Sequence, residues 1–180
     1  MSTIDQARAW KLLEERLAST TNERHRRNLE TAIAHSKAEA ALDLEGLMKT
    51  LVADPRYHLW VNGADTGAKG WDNVRQFYID FLATKTNIIE YDVERVVVDD
   101  FCVVTEGAYR AIWSGRYAAS IGMPVDDVSA DYLMETRLVV FWPCDENGLL
   151  LGEDSYSSGG SELTKLSPAD LPDAYVDLTR

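Results

Sequence analysis

Residues 88–113 read IIEYDVERVVVDDFCVVTEGAYRAIW. Upstream of this stretch, apolar side chains recur every three or four residues. Here they alternate, which marks strands whose two faces meet different surroundings. The run divides at Asp99–Asp100, a good place for a turn between two long strands. A further strand, YLMETRLVVFW, follows at 132–142, and another, LLLGEDSYSS, at 149–158. Between them CDENG supplies Asn147–Gly148, a strong hairpin pair. Consecutive strands joined by hairpins make an antiparallel sheet.

The amino-terminal part is helical. Ile4, Ala7, Trp10, Leu13 and Leu17 keep helical spacing, and after the polar break STTNE so do Leu29, Ala32, Ile33, Ser36 and Ala40. His25 and His35 lie on these helices and are expected to face solvent. Asp43 reads as the N-cap of a short helix carrying Leu44, Leu47, Met48 and Leu51, which ends at Asp54–Pro55. The strand YHLWV (57–61) comes next, then a glycine-rich loop and an amphipathic helix, WDNVRQFYIDFLA (71–83). A turn is expected at Gly159–Gly160 and a last helical turn at Ser167–Pro168. The class is therefore α+β: one curved antiparallel sheet with helices packed on its concave side, leaving a cone-shaped cavity. Residues 1–22 read as a helical extension, 23–160 as the domain and 161–180 as a tail.

Composition narrows the function. The chain has 180 residues, 46% of them hydrophobic, and a net charge of −12. Without a basic patch, nucleic acid and anionic membranes are poor partners, and a small molecule or a protein suits it better. The longest apolar runs, such as LVVFWPC, fall far short of the roughly 20 residues that span a bilayer. MSTIDQARAW has neither the basic start nor the apolar core of a signal peptide, so a cytoplasmic location is expected. Cys102 and Cys144 read as buried free thiols. GADTGAKG lacks phosphate-loop spacing, and HExxH, GxSxG and zinc-ligand spacings are missing, so neither a metal nor a cofactor is expected. What remains is proton transfer by side chains.

Candidates for that chemistry come from strand alternation. His58 and Trp60 share one face of their strand, with Tyr57 on the other, and the His58/Trp60 face is expected to line the cavity. Glu106 interrupts an apolar strand. Burial would make it a general base, while an ion pair with Arg110 or Arg137 is the structural alternative. Arg137 suits an oxyanion, or a structural pair with Glu106 or Glu135. Asp154 and Tyr156 share a face as an acid/base or hydroxyl-binding pair, or form part of an acidic rim. Tyr78, Tyr109 and Tyr132, with Tyr57, Trp60 and Tyr156, would form the walls of a pocket for a flat aromatic substrate.

Three segments, LDLEGLMKTLVADPRYHLW, GAKGWDNVRQFYIDFLA and LVVFWPCDENGLLLGEDSY, carry a resemblance. They look like the SnoaL-like branch of the nuclear-transport-factor-2-like superfamily over roughly residues 25–160. The resemblance implies an α+β barrel-like cone. It also implies a function among polyketide cyclases, ketosteroid isomerases, dehydratases, epoxide hydrolases and binding modules, and pairing into a homodimer or small homo-oligomer. A nearer likeness is to the cofactor-independent diarylpropane formaldehyde-lyases. It implies a lyase or isomerase for a hydrophobic aromatic molecule, with retro-aldol release of formaldehyde from lignin-derived diols as its sharpest form.

Overall fold

The computed structural model describes residues 4–61, 63–84, 86–158 and 161–179; the expected turn at Gly159–Gly160 lies outside them. In chain order the elements are α1 (Arg8–Ser19), α2 (Glu23–Ala40), α3 (Leu44–Met48), β1 (His58–Val61), β2 (Ala64–Asp65), α4 (Trp71–Ala83), β3 (Ile89–Val98), β4 (Cys102–Ser114), α5 (Gly115–Ser120), β5 (Asp131–Pro143), β6 (Asp154–Ser157), β7 (Glu162–Lys165) and α6 (Asp173–Thr179). The sheet runs β2-β1-β6-β5-β4-β3, with β7 paired to β5. It is curved, does not close into a barrel, and is antiparallel except where β1 runs parallel to β6. The last helical turn expected at Ser167–Pro168 comes later in the chain: α6 begins at Asp173, after Pro172, and buries Tyr175.

Local chemistry explains the boundaries. The Asn22 side chain accepts from the amides of Arg24 and His25 and starts α2; Asp43 accepts from Gly46 N at 2.8 Å and starts α3. The β3–β4 turn is tied by Asp99, whose carboxylate accepts from the amides of Phe101 and Cys102. A bulge between Val93 and Arg95 bends β3 and sets Glu94 apart from the ladder, the device that curves such sheets. Cys102 and Cys144 are free thiols.

After Asn147–Gly148 the chain leaves the expected hairpin. Leu150 bridges Cys144 on one side and Leu51 on the other, and β6 rejoins β5 only at Asp154. Gly152 makes that detour possible, because a Cβ there would lie 1.8 Å from the Arg56 carbonyl oxygen. The core gathers the inner stripe of α2 (Leu29, Ala32, Ile33) against Val103, Val140 and Trp142 of the sheet and Val74 of α4.

Candidate functional site

One cavity lies between α1, α2 and the inner sheet face. Trp10 comes from α1, Ser36 and Glu39 from α2, and Tyr91, Tyr109 and Trp142 from β3, β4 and β5; Glu153 enters between Gly152 and the start of β6. The wall is largely apolar and aromatic, with two carboxyl groups on it. No basic side chain among the described residues lines it. Among the described residues no side-chain hydrogen bond or ion pair reaches Glu39 or Glu153, and each keeps a part-exposed edge toward the cavity.

Such surroundings penalise negative charge. Burial raises the Glu39 carboxyl to about 7. Burial, and after it repulsion from Glu39 and Asp154, raises Glu153 to about 8. Charge on Glu39 opposes ionisation of Glu153, so the pair keeps a proton up to about 8. One carboxylic acid and one carboxylate then face the same apolar space near neutral pH. Tyr109 adds a phenol whose ionisation burial pushes far up, with Glu39 and Glu153 pushing the same way; it stays a neutral donor with no hydrogen-bond partner among the described residues. Tyr91 and Trp142 are held in place instead, both bonded to Thr105 Oγ1, at 3.2 and 3.1 Å.

Beneath the cavity runs a directed hydrogen-bond chain. Thr50 Oγ1 donates to the Leu47 carbonyl at 2.6 Å, so it accepts from His35 Nδ1–H at 2.7 Å. That leaves His35 Nε2 to accept from the Tyr78 hydroxyl at 3.0 Å, and Tyr57 donates to Tyr78 at 2.9 Å. Burial lowers His35 to about 3, so the imidazole is neutral and its tautomer is set by its partners. The expectation of a solvent-facing His35 is thus reversed: it is 0% exposed, while His25 pairs with Asp100 at the surface.

Of the residues singled out in the sequence, Tyr109 lines the main cavity. Tyr57 and Tyr78 lie next to it in the buried chain, and Tyr78 also lines a smaller cavity that shares Glu39. The other strand assignments face the opposite way. His58 and Trp60 pair in register with Asp154 and Tyr156 on the outer face, where His58, Trp60 and Tyr156 stack and Phe141 meets Tyr156 edge-on. His58 Nδ1 contacts Asp65 at 2.7 Å, and Lys69 bonds the same carboxylate at 2.9 Å. Asp154 is half-buried there, its carboxyl raised chiefly by desolvation. Glu106 and Arg137 meet each other on that outer face too, and Arg95 (2.9 Å) and Glu94 (2.6 and 3.0 Å) complete a surface ion network. The ion-pair alternative describes Glu106 and Arg137. Tyr132 bonds Asp126 and Asp127 and fastens the 115–131 segment to β5, away from the cavity.

The reversal has a simple origin. Alternation groups residues by face but does not say which face is inside, and here both faces carry aromatic and charged residues. Among the described residues no group of three or more His, Cys, Asp or Glu side chains is arranged to hold a metal ion. None of the described helices is long and apolar enough to cross a membrane.

The architecture matches solved proteins. A candidate SnoaL-like polyketide cyclase from Shewanella denitrificans OS-217 superposes with TM-score 0.59 at 17% identity, covering 73% of this chain and 90% of that one. A second candidate cyclase of that kind, from Jannaschia sp. CCS1, gives TM-score 0.59 at 16% identity over 78% and 91%. The Mycobacterium tuberculosis protein RV0760c, in complex with estradiol-17beta-hemisuccinate, gives 0.53 at 14% over 72% and 92%. No protein-family model and no curated protein matches the chain. The chain has the nuclear-transport-factor-2-like α+β fold, in the form seen in SnoaL-like proteins.

Proposed function

We propose that this protein is a cofactor-independent acid/base enzyme, a lyase or isomerase, acting on a hydrophobic aromatic small molecule in the α1–α2–sheet cavity. The observation that carries the reading is the pair Glu39 and Glu153: two unpaired carboxyls on an apolar, aromatic wall, displaced upward into the neutral range. Carboxyls kept in such surroundings cost stability, and that cost is characteristic of catalytic sites. With one proton between them, the carboxylate can take a proton from carbon or a hydroxyl while the acid protonates a leaving oxygen. Tyr109 is placed to donate to an oxyanion, and Trp10 and Trp142 to flank a planar ring. The estradiol ester bound by RV0760c supports a ligand of this flat, apolar kind in the same fold.

The test is incubation of the pure protein, without added metal or cofactor, with lignin-derived diaryl diols and with hydroxyketone and enone probes. Stilbene and formaldehyde release, dehydration or double-bond migration would each be followed. Turnover of any probe, lost in Glu39→Gln and Glu153→Gln, supports the reading. Tight binding of the probes with no product in the wild type would instead make the protein a binding module.

A further inference from the structure

The turn that ends α2 holds an unexplained cost. Asp43 N donates to the Ala38 carbonyl at 2.9 Å and Leu42 N to the Glu39 carbonyl at 3.1 Å, the pair of bonds that closes a helix through a left-handed residue. That residue is Leu42, at φ 58, where glycine is strongly favoured. No other described non-glycine residue has positive φ. Leu42 lines the smaller cavity together with Leu44, Leu47, Tyr78, Asp43 and Glu39, and it stands 43% exposed at the rim. Glu39 thus borders two spaces, the substrate cavity and this one.

Among the described residues the titratable groups facing Glu39 are Glu153, the phenols of Tyr57, Tyr78 and Tyr109, and Asp43; none is a cation. With no cation beside it among the described residues, its carboxylate relies on water and on what the Tyr109 hydroxyl can donate, and Leu42 stands at the rim of the rear cavity. We propose that Leu42 is a positioning residue: a strained hydrophobic plug that closes the rear cavity, so that Glu39 exchanges protons through the substrate cavity alone. This rests on reading Glu39 as a proton-transfer group. It accounts for leucine at a glycine position, since strain kept in a backbone marks a place where something else is gained.

The variants Leu42→Ala, Leu42→Gly and Leu42→Met separate plug from strain. The Glu39 carboxyl is followed by carbon NMR in protein carrying carboxyl-labelled glutamate, its signal assigned by loss in Glu39→Gln. Alanine and glycine should both lower its midpoint by about one unit or more toward the ordinary 4.5, and methionine should leave it in place. Glycine should melt about 2–4 °C above alanine, because it alone relieves the φ strain. An unchanged Glu39 midpoint in both small variants would overturn the plug. If the midpoint falls while the pH–rate limb stays put, the plug stands and the catalytic assignment of Glu39 fails.

Discussion

Glu39 and Glu153 are where removal of a single oxygen's charge should matter most. Replacing either with glutamine keeps shape but removes the titration, and turnover should fall by about 10²–10⁴-fold, measured as kcat/KM on whichever probe reacts. With midpoints about 7 and about 8, activity in the wild type should be bell-shaped, greatest between those values, and each glutamine variant should lose the corresponding limb. Tyr78→Phe breaks the chain at its centre, leaving His35 Nε2 with only the longer 3.5 Å contact to the Tyr57 hydroxyl, at a cost of about 1 kcal/mol by urea denaturation. These residues were partly legible. Asn28, Ala32, His35 and Glu39 follow helical spacing, so three polar residues occupy the inner stripe of α2. A stripe traced through apolar letters alone passes over them, and polar residues kept on that stripe were the available signal.

At the scale of elements, the site depends on the irregular passage between β5 and β6. Gly152→Ala would drive a methyl into the Arg56 carbonyl, and moving that backbone moves Glu153 with it. The expected result is a loss of about 3 kcal/mol or more in urea denaturation, together with lost activity. The helix α1 forms the cavity's outer wall through Trp10, so Trp10→Ala should raise KM for an aromatic substrate more than it lowers kcat. Element type was readable because period, caps and turn pairs agreed: Asp43 caps α3, Asp99 ties the β3–β4 turn, and β3 to β5 alternate as expected. Facing was not. Parity grouped His58 with Trp60 and Asp154 with Tyr156 correctly, but the burial of Tyr57 beneath the helices put all four outside. The position of Glu153 could not be counted from the Asn147–Gly148 turn, because the Gly152 detour breaks the alternation between them.

For the whole molecule the same groups set how stability varies with pH. Folded Glu39 and Glu153 titrate above their unfolded value of 4.5, so their favourable contribution is complete below 4.5 and is lost as pH rises through about 7 and 8. His35 works in the other direction: its folded value of about 3 lies below the unfolded 6.5, so stability is full above 6.5 and lost as pH falls toward 3. Between 4.5 and 6.5 two carboxyls outweigh one imidazole, which places the optimum near pH 5. The protein should therefore melt higher at pH 5.5 than at pH 8.5, by a difference on the order of 3 kcal/mol, and Glu153→Gln should reduce that difference. The most direct test of the central claim is the carbon NMR titration of the wild-type glutamate carboxyls, with Glu39 and Glu153 assigned through their glutamine variants. Two carboxyls titrating between about 7 and 8 are predicted. Midpoints for both near the ordinary 4.5 would contradict the account, because an already ionised pair would leave the cavity without an acid at neutral pH.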